Sequence, residues 1–119
     1  MTPSSNSTEY LKSAGKAVYQ SMATDPDAIW VMQGWLFYDN REFWKADQAK
    51  ALLTSVPIGR MLVLDLFSEL FPQFQRFEGY YGQPFLWCML HNFGGVLGLY
   101  GNVDSINKVR FICVELFCE

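Results

Sequence analysis

The chain has 119 residues, half of them hydrophobic and 17% aromatic, with nine Lys and Arg against twelve Asp and Glu. That richness in Trp, Tyr and Phe excludes a disordered chain, and the length allows one domain at most. The absence of any basic excess or block of like charge leaves no electrostatic footprint for nucleic acid, which is not expected as a partner.

Asn6-Ser-Thr-Glu9 opens the first element, with Asn6 placed to cap a helix and Glu9 three residues on. Tyr10, Leu11, Ala14, Ala17, Val18 and Ser21 then recur at helical spacing and predict an amphipathic helix ending by Ala23. Asp25-Pro-Asp27 is turn chemistry, because proline disfavours helix in the residue before it. Ala28-Ile-Trp-Val-Met32 is continuously apolar, as expected of a strand covered on both faces in a parallel sheet. The stretch from Arg41 to Ser55 sets Phe43, Trp44, Leu52 and Leu53 among charged residues and predicts a second amphipathic helix, stopped by Pro57-Ile-Gly59. Arg60-Met-Leu-Val-Leu-Asp65 and Phe85-Leu-Trp-Cys-Met-Leu90 predict two further buried strands. Between them, Ser68 to Tyr80 has weak helical character broken by Pro72, so the connection is either a helix-containing crossover or a long loop. After the third strand a glycine loop, Gly94-Gly95 and Gly98, leads to a possible helix start at Asn102 to Asn107, with Asp104 or Ser105 as cap.

Three apolar strands alternating with amphipathic helices are the pattern of right-handed βαβ units, so the fold class is α/β. The longest apolar runs fall well short of the roughly 20 residues a membrane-spanning helix needs, and a membrane is not expected as a partner. Residues 1–9 have neither the basic nor the apolar region of a secretory signal. Cys88, Cys113 and Cys118 are an odd number and fix no compartment; Cys88, inside an apolar run, reads as a small hydrophobe rather than a reactive thiol.

In parallel α/β folds, ligands gather where the strands end, because only the loops there converge. The polar residues at those ends are Gln33 and Trp35, then Asp65, then His91 and Asn92. An amide, a carboxylate, an imidazole and an indole plane suit a sugar pocket, where hydroxyls need donors and acceptors and a pyranose face packs on an aromatic ring. Each also has a plainer role: Trp35 as core padding, Asp65 as a ligand for backbone amides, His91 as a hydrogen-bonded structural residue, Trp87 as core. No phosphate-binding glycine loop is present, and a single histidine without a neighbouring cysteine or acid pair makes no metal site. A small flavodoxin-like domain would need about five strands and a phosphate loop after the first.

Three long segments, Ala28-Ile-Trp-Val-Met-Gln-Gly-Trp-Leu-Phe37, Arg60-Met-Leu-Val-Leu-Asp-Leu-Phe67 and Gly82-Gln-Pro-Phe-Leu-Trp-Cys-Met-Leu-His-Asn-Phe-Gly-Gly95, closely resemble the α-N-acetylglucosaminidase family of glycoside hydrolases, in the family's order. The resemblance covers residues 1–101; the remainder, 102–119, does not match the family's pattern and reads as a divergent tail. It implies an incomplete (β/α)₈ TIM-barrel segment with about three parallel strands and intervening helices. It also implies a lysosomal enzyme that removes terminal α-linked N-acetylglucosamine from heparan sulfate with retention, using two glutamates roughly 5 Å apart and no cofactor or metal. In the family the acid/base glutamate precedes a methionine that aligns with Met1, and the nucleophile follows the glycine loop. Both are therefore expected outside this chain, which leaves no catalytic residue within it and predicts inactivity in isolation. Trp35, Asp65, Trp87, His91 and Asn92 are the residues expected to line or support the sugar site. The alternative is a non-catalytic remnant that binds carbohydrate or a partner chain. A barrel of this kind takes about 250 residues, so three strands alone should leave open edges and be marginal in stability. Asn6-Ser-Thr8 is an N-glycosylation sequon, in competition with the helix-capping role of Asn6.

Overall fold

The computed structural model describes residues 5–88, 104–105 and 107–108. The first helix, α1 (Thr8–Met22), buries Leu11 and Gly15 on one face. Its cap differs from expectation: Ser7 occupies the N-cap position, while Asn6 stands outside the helix, exposed, with its carbonyl accepting from Gln48 Nε2 at 3.2 Å. The helix ends one residue before Ala23, whose N–H turns back to the Gln20 carbonyl. Asp25 closes the turn that follows, its Oδ1 accepting from the Asp27 amide at 2.9 Å.

Strand β1 (Trp30–Gln33) begins two residues later than the apolar run, because the Ala28 amide is still committed to the turn carbonyl of Asp25. Of the helix expected over 41–55 only α3 (Ala46–Leu53) forms, and a short helix that was not expected, α2 (Trp35–Asp39), precedes it. The reason lies in the side chains between them. Trp44 is 3% exposed and packs edge-on against Phe37, with ring centroids 5.3 Å apart, so it fills the core from a turn rather than from a helix face. Arg76 fixes that turn by donating to the carbonyls of Phe37, Arg41 and Trp44.

Strands β2 (Met61–Asp65) and β3 (Phe85–Trp87) complete a parallel sheet in the order β1-β2-β3, with Met32 opposite Val63 and Asp65 opposite Trp87. The end of the third apolar run, Met89 and Leu90, lies outside the described residues. The β2–β3 connection is the loop alternative: a chain of turns over 66–78, then a turn over Gly79–Gly82 in which Glu78, Gly79, Tyr80, Tyr81 and Gly82 all have positive φ. Consecutive L-residues in the left-handed region each cost roughly 1–2 kcal/mol, so this turn persists only because tertiary contacts impose it. The contact that does so is Tyr80, which is fully buried against Phe37, Phe77 and Phe85.

Alternation along the strands divides the sheet into two unlike faces. Met32, Met61, Val63 and Asp65 are buried under the helices and the 66–82 connection. On the opposite face Val31 and Leu86 are more than half exposed, and Gln33 is exposed beside Leu64. Among the described residues the strands are therefore covered by helices on one face only, not on both. A (β/α)₈ barrel has this layering, helices outside and strand side chains packing inward across the axis, and three strands form an arc of it that is not closed. Asp104, Ser105, Asn107 and Lys108 are helical, within the stretch where a further helix is expected.

Candidate sugar-binding site

At the carboxyl ends of β1 and β2 the chain crosses itself closely. Gly34 donates its N–H to the Leu64 carbonyl at 2.7 Å, and the helix α2 starts immediately afterwards with Trp35. The Trp35 ring, half-buried, lies 5.2 Å from that of Tyr38 and 5.8 Å from that of Phe67. Phe71 extends this wall, 5.1 Å from Tyr38, and the Arg41 guanidinium covers the Tyr38 ring at 4.6 Å. Aromatic pairs at such separations gain about 0.5–1.5 kcal/mol beyond area burial, so the four rings stand as a fixed surface.

Trp35, Asp65, Tyr38 and Phe67 share one narrow crevice between these strand ends, too tight to hold a water molecule. Asp65, 1% exposed, forms its floor. Its Oδ2 accepts from the amides of Gln73 and Phe74, both at 2.9 Å, which folds the 66–74 turns back over the end of β2. Burial raises the carboxyl above its ordinary value of 3.8, and the amide of Phe74, the hydroxyl of Tyr80, the amide of Gln73 and the hydroxyl of Ser68 pull it back down. The amide-binding role open to Asp65 from sequence is thus the one its Oδ2 performs. The Tyr80 hydroxyl is buried beside this carboxylate without a partner at hydrogen-bonding geometry among the described residues, and burial together with the carboxylate charge keeps it protonated.

Trp87 ends β3 opposite Asp65, with its indole Nε1 buried and without a hydrogen-bond partner among the described residues. Cys88, partly buried, has its thiol pushed up by burial and by the Asp65 charge, so little thiolate forms there. His91 and Asn92 lie outside the described residues. No group of three or more His, Cys, Asp or Glu able to hold a metal ion occurs among the described residues, nor does any helix long and apolar enough to cross a membrane.

The structure therefore brings Trp35 and Asp65 to one crevice and sets Trp87 beside Asp65. It adds residues that strand-end reasoning passes over: Tyr38, Phe67 and Phe71 in the aromatic wall, Gln73 and Tyr80 around the carboxylate. Tyr38 follows Trp35 by three positions on one helix turn, which is a legible spacing. Tyr80 had only the Gly79 and Gly82 punctuation around it, a turn signal that says nothing of what the tyrosine meets.

Comparison with known proteins bears on the same stretch. The model of the alpha-N-acetylglucosaminidase TIM-barrel domain matches residues 1–114, running past the Gly101 boundary expected from the motifs. The human protein named alpha-N-acetylglucosaminidase is 50% identical over 108 residues, which is 90% of this chain and 14% of that protein. The chain thus spans about one seventh of the length of the relative it matches.

Proposed function

Because the chain belongs to the alpha-N-acetylglucosaminidase family, within that family's TIM-barrel domain, we propose that its three β/α units wall the sugar pocket of a retaining glycoside hydrolase. The substrate is a glycan ending in α-linked N-acetylglucosamine, heparan sulfate being the natural one, and the compartment is the lysosome. The observation that carries this reading is that the half-buried Trp35, the rings of Tyr38, Phe67 and Phe71, and Asp65 gather at the carboxyl ends of β1 and β2. An indole face packs against the C–H face of a pyranose, and strand ends are where barrel enzymes gather their substrates.

In this reading Trp35 and Trp87 present surfaces and a donor to the sugar, and His91 and Asn92 follow β3 into the same mouth. Asp65 supports the site by holding the loop that bears Phe71 and Gln73. None of the five transfers a proton. The two catalytic glutamates belong to other parts of the enzyme, so the 119 residues in isolation are expected not to turn over substrate. Asn6 accepts an N-glycan: it is exposed, and the cap position that would compete for its side chain is taken by Ser7.

The test is hydrolysis of a chromogenic α-N-acetylglucosaminide by the intact enzyme carrying this segment, compared with its Trp35→Ala variant. Loss of a stacking surface should lower kcat/KM by about tenfold or more, on the order of the 1.4 kcal/mol that a tenfold change represents. Wild-type kinetics in the variant would remove Trp35 from the pocket, and an inactive intact protein would overturn the hydrolase reading.

A further inference from the structure

Two arginines stand together beside the aromatic wall, and among the described residues no carboxylate pairs with either. Arg41, exposed two residues past the end of α2, sets its guanidinium over the ring of Tyr38 at 4.6 Å and over that of Phe71 at 5.4 Å. Arg76 donates to the carbonyls of Phe37, Arg41 and Trp44 and to Gln73 Oε1, all neutral acceptors, so its charge is held in place without being cancelled. Burial, and after it the Arg41 charge, pulls the Arg76 guanidinium below its ordinary value, so the two cations oppose each other. The acids close by in the chain do not compensate. Asp39 and Glu42 flank Arg41 without an ion pair to it, and Glu69, 4% exposed, has both carboxylate oxygens without a partner among the described residues.

Both arginines line one open cavity of about 280 Å³, set between Arg41, Leu70, Phe71, Gln73, Gln75 and Arg76. Small-molecule pockets run from roughly 300 to 1,000 Å³, so this one has room for a single saccharide residue rather than a chain. Phe71 and Gln73 also line the crevice of Trp35 and Asp65, which makes the cavity its direct neighbour. Tyr38 links the two, its ring 5.2 Å from that of Trp35 and 4.6 Å from the Arg41 guanidinium. A residue joined to a sugar stacked on Trp35 thus comes within reach of Arg41. An aromatic ring takes the face of a guanidinium and leaves its in-plane N–H donors available. Those donors form a planar fork that matches paired anionic oxygens.

Resting on the reading of the Trp35 wall as the seat of the terminal N-acetylglucosamine, we propose that Arg41 determines specificity for an acidic neighbour: its guanidinium binds the carboxylate or sulfate of the saccharide residue to which that sugar is linked. Arg76 adds its charge to the cavity and fixes the turn that carries Arg41. Neither arginine takes part in bond cleavage.

The experiment measures kcat/KM of the intact enzyme carrying this segment on three disaccharides that begin with α-linked N-acetylglucosamine and differ in the second residue: a neutral hexose, a uronic acid and a sulfated hexose. Wild type is compared with Arg41→Gln and Arg41→Lys. The readout is the ratio of each acidic substrate to the neutral one, which a general loss of structure or catalysis does not move. In Arg41→Gln at least one acidic ratio should fall by about tenfold, the lower end for a hydrogen bond between charged groups, and Arg41→Lys should restore part of it. The acid whose ratio falls further identifies the group that the guanidinium takes. Ratios equal to wild type for both acidic substrates would overturn the proposal. If Arg41→Gln does not fold, the wild type decides. Its acidic-to-neutral ratio should decline as salt rises from about 0.01 M to about 0.15 M, where the screening length shrinks from about 30 Å to about 8 Å, and a ratio indifferent to salt overturns the proposal. A wild type that cleaves neither these disaccharides nor a chromogenic α-N-acetylglucosaminide would remove the hydrolase reading and this one together, whereas an active wild type whose ratios do not respond to Arg41→Gln removes this one alone.

Discussion

Gly34 and Leu64 meet so closely that a single added carbon would not fit between them. A Cβ built on Gly34 would lie 2.8 Å from the Leu64 carbonyl oxygen and 3.3 Å from the Tyr80 hydroxyl. The same carbonyl accepts the Gly34 N–H at 2.7 Å, so moving apart to make room would break the bond that brings β1 and β2 together at the crevice.

Gly34→Ala should therefore destabilise the protein by about 1–3 kcal/mol, the usual range for overpacking where the neighbours are backbone and cannot rotate away. Urea unfolding followed by tryptophan fluorescence measures it. A variant within a few tenths of a kilocalorie of wild type would mean that the strand ends are not held in this contact.

Asp65 makes the stability depend on pH with a sign opposite to that of most carboxylates. Its folded-state pKa is raised above 3.8, with burial as the largest cause. In the window between 3.8 and that raised value the native state binds more protons than the unfolded state, so stability contributed at this site grows as pH falls and is lost as pH rises. The difference in unfolding free energy between wild type and Asp65→Asn should shift in favour of wild type on going from pH 7 to pH 4. Asp65→Ala, which orphans the amides of Gln73 and Phe74, should cost about 2–4 kcal/mol at pH 7 and more toward pH 4. Denaturant titrations at several pH values check both, and a wild-type advantage that shrinks toward pH 4 would contradict the assignment.

Gln83 is a buried clamp. Its Nε2 donates to the carbonyls of Leu53 and Val56 at 2.9 Å each, and its Oε1 accepts from the Gly59 amide at 3.2 Å, tying the end of α3 to the entry of β3. Gln83→Glu replaces a donor facing two carbonyls with an acceptor. It should destabilise by roughly 2–4 kcal/mol near neutral pH and less in acid, where the protonated carboxyl can donate again. Thermal melts at pH 7 and pH 4.5 measure the contrast; equal losses at the two would exclude a charge-dependent cause.

Glu78 is exposed and left-handed, with φ 49° and ψ 50°. Glycine adopts this conformation without a Cβ clash but loses more entropy on folding, so Glu78→Gly should stabilise by up to about 1 kcal/mol net. A rise of a few degrees in the melting temperature is expected, and a fall would mean that the Glu78 side chain has a role beyond occupying the turn.

By itself the sequence determined the α/β class, the three strands and the family, because each rests on information local to a segment: apolar runs of strand length, helical spacing in α1, turn chemistry at Asp25-Pro-Asp27, and long ordered motifs. It also placed Trp35 and Asp65 at strand ends, whereas Trp87, inside the third apolar run, is the end of β3 only in the structure. What it could not decide depends on which distant groups meet. The helix expected over 41–55 starts only at Ala46 because Trp44 is drawn into the core against Phe37, and the two faces of the sheet differ because only one is covered by helices among the described residues. Asp65 binds amides from Gln73 and Phe74 only once the 66–82 connection has folded back over it. That connection ends in a left-handed turn which no local preference favours, held by the burial of Tyr80. Periodicity records how a segment hides its own apolar side. Whether a buried carboxylate such as Asp65 or Glu69 finds a donor is settled by the packing of separate segments, and only the tertiary structure contains that.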